Sequence, residues 1–101
     1  MIVRTWRARA AADERERYPR HFAAVVLPRL REVPGCLGAQ LLGRDADGGV
    51  EFVVQTRWAS REAVARFAGA TPDVAVVDPD AEATLTAYDH TVTHHELLVS
   101  G

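Results

Sequence analysis

Residues 50–69, V-E-F-V-V-Q-T-R-W-A-S-R-E-A-V-A-R-F-A-G, read as a strand that runs directly into a helix. Val50, Phe52, Val54, Thr56 and Trp58 share one parity; Glu51, Val53, Gln55 and Arg57 share the other. Both sets are fairly apolar and rich in β-branched or aromatic residues, which predicts a central strand covered on both faces. Ser60 falls where an N-cap belongs, and Glu62 puts a negative charge in the first turn, where the helix dipole favours it. Ala63, Val64, Phe67 and Ala68 recur at helical spacing, and Gly69 supplies a stop.

Upstream, residues 36–44 (C-L-G-A-Q-L-L-G-R) form a second strand, whose Gly38 and Gly43 mark a bulge or a close backbone approach. Asp45-Ala46-Asp47-Gly48-Gly49 is a hairpin turn signal that joins it antiparallel to residues 50–58. Before it, residues 10–32 follow a helical pattern, with Tyr18, Phe22, Val25, Val26, Leu30 and Val33 as the apolar stripe. Pro19 either opens the main helix or kinks a longer one, and Pro28 bends it again. Val33-Pro34-Gly35 ends it, because the residue before a proline avoids α geometry and glycine terminates helices readily. Residues 2–8 alternate as a first strand. Downstream, Asp78-Pro79 starts a short helix that runs through Leu85, and residues 88–99 close the chain as a strand. The order β-α-β-β-α-β is the ferredoxin-like split arrangement, an α+β fold with an antiparallel sheet.

At 101 residues this is one domain, residues 1–101, with a single core. Its net charge of −2 and scattered arginines argue against nucleic acid as a partner. No apolar run approaches the roughly 18–20 residues of a membrane span, and the N-terminus lacks a signal-peptide pattern. The single Cys36 rules out an internal disulfide and a thiolate metal cluster, and a reducing cytoplasm is the expected setting. Helices on one side of a sheet leave its other face open, and the strands here are apolar on both parities. A second copy stacked on that face is expected, so the chain is predicted to be a homodimer.

The eight residues Thr56-Arg57-Trp58-Ala59-Ser60-Arg61-Glu62-Ala63 follow a T-x-W-x-S-x-E-A pattern at the strand-to-helix corner. With the Val33-Pro34-Gly35-Cys36 bend, Phe67-Ala68-Gly69, Ala75-Val76-Val77 and the closing strand with His94 and Glu96, the whole chain resembles the antibiotic biosynthesis monooxygenase domain, a dimeric α+β barrel. Similar domains include cofactor-independent oxygenases of aromatic polyketides, haem-degrading enzymes, quinol-modifying enzymes and members of no known activity. The resemblance therefore implies a fold, and a cofactor-independent monooxygenase acting on a small aromatic or quinol-type molecule as the leading function. The alternative is a non-catalytic dimeric small-molecule-binding or stress-response protein. Haem degraders of this type use an Asn on the first strand, a Trp on the second helix and a His soon after it. Those positions fall here near Trp6, on Phe67 and near Val77 or Asp78, and none matches.

Cofactor-free oxygenation needs a dry apolar pocket, a base and a cation that holds the substrate anion. His21, beside the apolar stripe, and His94, on the last strand, are the candidate bases, because imidazole titrates near neutrality. Arg57 is the candidate cation, and the indole N–H of Trp6 or Trp58 a further donor. Trp6, Phe22, Trp58 and Phe67 are the candidate walls around an aromatic ligand, although the same convergence describes a packed core. His90, His94 and Glu96 share a parity, but His90 lies about 13 Å from His94 at about 3.3 Å per residue, too far for one ion. No metal or other cofactor is expected.

Overall fold

A computed structural model describes residues 1–101. The strand–helix unit forms as its local chemistry dictates. Along β3 (Gly49–Trp58) every second side chain is buried, from Val50 to Trp58. Glu51, Val53, Gln55 and Arg57 lie half-buried on the opposite face, so the expectation of two covered faces is corrected: within the chain, one face is covered. Ser60 caps α3 (Arg61–Ala68), its hydroxyl oxygen accepting the Ala63 N–H at 3.2 Å, and Gly69 ends it at φ 77°.

β2 (Cys36–Ala46) pairs with β3 through a two-residue turn, Asp47-Gly48, tighter than the five-residue signal. Both turn residues have positive φ (49° and 76°), the mirror-image geometry that matches strand twist. The expected irregularity near Gly38 is a register shift between Cys36 and Gly38. β1 (Ile2–Ala11) pairs with β3 over its whole length, Ile2 opposite Trp58 and Ala11 opposite Gly49. It therefore runs three residues past the predicted end at Ala8.

The helical pattern over residues 10–32, with interruptions expected at Pro19 and Pro28, is realised as several short pieces. A 3-10 turn (Ala12–Glu14) leads to α1 (Arg17–His21), a π turn (Phe22–Val26) and α2 (Leu27–Arg31). Pro28 has no N–H to give the Ala24 carbonyl and its ring crowds that group, so the ladder widens and Leu27 N–H bonds the Phe22 carbonyl five residues back. Pro19 sits in the first turn of α1, where its missing N–H leaves no bond unmade. At the Val33-Pro34-Gly35 bend, Gly35 (φ 89°) packs so closely on α3 that a Cβ there would lie 2.5 Å from the Ala63 Cβ.

Asp78 caps α4 (Pro79–Glu82), its Oδ1 accepting the Ala81 N–H at 2.8 Å. The helix stops at Glu82, and residues up to Leu85 continue as turns. The predicted strand over residues 88–99 is two short pieces, β4 (Ala87–Tyr88) and β5 (Thr93–Glu96), both on the free edge of β1. Between them the chain leaves the sheet to tie down residues 70–78: the His90 carbonyl accepts the Ala75 N–H at 2.9 Å, and Val92 N–H donates to the Asp73 carbonyl at 2.8 Å.

The sheet order β2-β3-β1-β4, with β5 also on β1, is the antiparallel ferredoxin-like arrangement. Within one chain this sheet is open, not a closed barrel. Its inner face carries two core clusters, one around Tyr18, Phe22 and Phe52, the other around Leu30, Trp58 and Val64. No helix is long and apolar enough to cross a membrane.

Candidate functional site

A cavity of about 60 Å³ lies where the sheet, the helical run of residues 17–31 and the strap of residues 70–78 meet. Its floor is two facing rungs of β1 and β3, Arg4 opposite Thr56 and Trp6 opposite Val54. Tyr18 and Phe67 add aromatic wall, and Val76, Val77 and Asp78 bring the strap over it. An apolar cavity of about 150 Å³ takes one benzene ring. The cavity opens to solvent, and its enclosed part is smaller than that.

Two aspartates of the strap are each held by a histidine of the body. The His94 Nδ1 lies 3.3 Å from the Asp73 carboxylate, and the His21 Nε2 lies 3.1 Å from Asp78 Oδ2. Arg4 anchors the same strap, donating to the Pro72 carbonyl and, at 3.0 Å, to the Val74 carbonyl. A further Arg4 N–H meets His94 Nε2 at 3.0 Å. Guanidinium can only donate, so His94 Nε2 accepts, and the neutral tautomer carries its proton on Nδ1 toward Asp73. Burial, followed by the Arg4 charge, holds the His94 imidazole below its ordinary pKa, consistent with that neutral form. Burial also pushes the Asp78 carboxyl up, but the Ala81 N–H, His21 and Arg29 outweigh it and leave Asp78 below the usual carboxylate range. The Tyr18 phenol is raised by burial and by the nearby Asp78 charge, and stays protonated.

The structure separates the residues singled out in the sequence. Trp6 and Phe67 line the cavity, whereas Phe22 and Trp58 are core. His21 and His94 stand one layer back, behind Asp78 and Arg4 respectively. Arg57 lies on the other sheet face, beside Gly38. Both indole donors are engaged: Trp6 Nε1 donates to the Asp89 carbonyl at 2.7 Å and Trp58 Nε1 to Thr56 Oγ1 at 2.7 Å. The cation at the cavity is Arg4, which the sequence reading passed over. Its signal was present, because Arg4 shares the inward parity of Ile2, Trp6 and Ala8 on an alternating strand. In the sequence Asp78 signals a helix start and falls near the haem degraders' His position, with no sign of a carboxylate at a cavity.

The chain belongs to the antibiotic biosynthesis monooxygenase family, whose model matches residues 1–75. No curated protein sequence matches it. Among solved structures, a candidate antibiotic biosynthesis monooxygenase from Deinococcus radiodurans superposes with a TM-score of 0.64 at 16% identity, covering 99% of this chain and 95% of that one. Rv0793 from Mycobacterium tuberculosis gives 0.60 at 23% identity, covering 98% and 96%. The haem degrader MhuD from Mycobacterium tuberculosis, solved with two haems in its active site, gives 0.67 at 23% identity, covering 100% and 99%. At these identities the likeness is one of fold.

Haem does not fit the residues present. The three positions inferred for haem degraders, Trp6, Phe67 and Val77 or Asp78, do line the cavity, but they carry none of the expected side chains. No imidazole faces the space, since His21 and His94 are turned to Asp78 and Arg4.

Proposed function

We propose that this chain is a cofactor-independent monooxygenase that oxidises a small aromatic or quinol-type molecule in the cavity between Trp6, Tyr18 and Phe67. The observation that carries the reading is the cavity's composition: aromatic and aliphatic walls, with one carboxylate, Asp78, backed by the His21 imidazole. Asp78 takes the substrate proton, and His21 behind it, its Nε2–H donating to Asp78 Oδ2, positions the carboxylate. The substrate supplies the electrons. For an anthrone-type CH₂, the carbanion–enolate formed by deprotonation gives one electron to dioxygen, and the substrate radical and superoxide combine into a peroxide at that carbon. The peroxide takes back the proton and loses water, leaving a C=O where two hydrogens stood. One dioxygen is consumed and one water released, with no outside reductant.

A second copy is expected over the open sheet face, where Val3, Leu42 and Val53 lie exposed or half-buried among polar neighbours. The same reading places the protein in the cytoplasm, a reducing setting that suits a lone half-buried cysteine, Cys36.

The test is oxygen uptake by purified protein over a panel of anthrones, naphthols and hydroquinones. Saturable uptake is expected, falling on the order of 10²-fold or more in Asp78→Asn, which retains a capping oxygen for α4 but loses the charge. Uptake no faster than without protein, or unchanged in Asp78→Asn, would overturn the reading. In a hemin titration run alongside, no saturable Soret shift is expected; such a shift would restore the haem alternative.

A further inference from the structure

Arg4 is 4% exposed, yet none of its hydrogen-bond partners carries a negative charge. Two are backbone carbonyls, and the third is the acceptor nitrogen of a neutral imidazole. Buried charges in proteins are ordinarily paired, because an unpaired ion in an apolar setting has lost its hydration and gained nothing in its place. Two carboxylates stand near. Asp73 lies beyond the His94 ring with its side chain 83% exposed; its charge acts on Arg4 and offsets part of the cost of burial, but it makes no contact with the guanidinium. Asp78 faces the same cavity but is committed to His21, Arg29 and the α4 cap, and makes no ion pair with Arg4.

The guanidinium has five N–H groups, and the Pro72, Val74 and His94 contacts use three. Its directly opposed neighbour on β3 is Thr56, 5% exposed and also at the cavity. The Thr56 oxygen accepts the Trp58 indole N–H, so its own hydrogen remains for another acceptor. Phe67 lies against the Arg4 guanidinium, its ring centroid 5.7 Å from Cζ, and completes a site with a cation, a hydroxyl donor and an aromatic wall.

We infer that the contacting counter-charge Arg4 lacks is supplied by the ligand: the cavity binds a singly charged aromatic anion, a phenolate, whose oxygen pairs with Arg4 and accepts from the Thr56 hydroxyl. The inference rests on the cavity being the ligand site of the proposed oxygenase, and it assigns that site a substrate class, phenols and their keto tautomers held as the phenolate once Asp78 has taken the proton. Trp58 is a positioning residue here, since its N–H occupies one lone pair of Thr56 and turns the hydroxyl hydrogen away from the core. This gives the Thr-x-Trp part of the corner motif a role beyond packing.

The probe is para-nitrophenol, whose phenolate absorbs visible light and whose neutral form does not, with nitrobenzene as the neutral ligand of similar shape. An opposite charge within about 4–6 Å lowers an acid's pKa by about one unit or more. In wild-type protein the bound phenol is therefore expected to ionise at least about one pH unit lower than in water, and the phenolate to bind at least about tenfold tighter than nitrobenzene. Arg4→Gln is expected to abolish both effects. If that variant does not fold, the two wild-type measurements decide alone. Equal affinity for the two ligands, an unshifted phenol titration, or no binding of either overturns the inference. Phenolate capture without oxygen uptake on any substrate leaves it standing and removes the oxygenase reading, whereas oxygen uptake without preference for the anion does the reverse.

Discussion

Lowering the pH from 7.5 to 5.5 is expected to loosen the strap through His94. In the folded chain this imidazole is 7% exposed, faces Arg4 at 3.0 Å and Asp73 at 3.3 Å, and also feels Arg61 at the start of α3. Burial and then the Arg4 charge hold its pKa below the ordinary value, with Asp73 pulling the other way. The unfolded chain titrates at about 6.5, so below that pH the unfolded state takes up a proton that the folded state refuses. Stability from this group is thus complete above about pH 6.5 and declines as pH falls toward the depressed folded pKa. The slope is at most about 1.4 kcal/mol per pH unit, which limits the loss between pH 6.5 and 5.5 to about 1.4 kcal/mol. A proton forced onto Nε2 faces guanidinium; two unit charges about 4 Å apart repel by roughly 4 kcal/mol at an effective dielectric of 20, before Asp73 offsets part of it. The contact opposed directly is the one between Arg4 and His94, which stands behind the strap's anchor.

The assay is urea unfolding at pH 7.5, 6.5 and 5.5 in wild type and His94→Gln, whose amide can accept from Arg4 and donate to Asp73 without titrating. His21, His90 and His95 are present in both chains and cancel in the difference. Wild type is expected to lose up to about 1.4 kcal/mol more than the variant over the last step. Amide exchange at Ala75 and Val92, which tie the strap to residues 90–92, is expected to quicken over the same range. Equal pH slopes in the two proteins would refute the assigned tautomer and the argument built on it.

Two shorter predictions concern the frame. Ser60→Ala removes the oxygen that caps α3 and is expected to cost about 1 kcal/mol in urea unfolding, with Ser60→Asp close to neutral. Val53→Arg puts a charge in the middle of the open sheet face; sedimentation is expected to show a dimer for wild type and a monomer for the variant, and a monomeric wild type would end the stacked-face proposal.

Most of the frame was legible in the residues themselves, because its signals are local. The alternation of residues 50–58, the Ser60 cap, the Gly69 stop, the Asp47-Gly48 turn and the bend at Gly35 each act over a few positions, and each appears where the pattern puts it. Where local signals compete with distant partners, the reading slipped. The last strand broke in two because Asp73 and Ala75 draw residues 90–92 out of the sheet, and no periodicity within residues 88–99 encodes that. Pro28 announced a bend, but that the ladder absorbs it as a π turn, with Leu27 N–H on the Phe22 carbonyl, is seen only in the structure.

The site was less legible, for the same reason. Arg4 meets Pro72, Val74 and His94 across separations of 68 to 90 residues, and His21 meets Asp78 across 57. A sequence read alone could nominate His21 and His94 as bases, but not find that each is turned to a partner one layer behind the cavity. It could place Arg57 at a promising corner, but which sheet face the cavity occupies depends on where the helices lie. By itself the sequence determined the elements, their order and the family, since hydrophobic period, caps and turns act through neighbours. Only the tertiary structure decided which charges share a space, because burial and pairing exist only once distant segments have closed on one another.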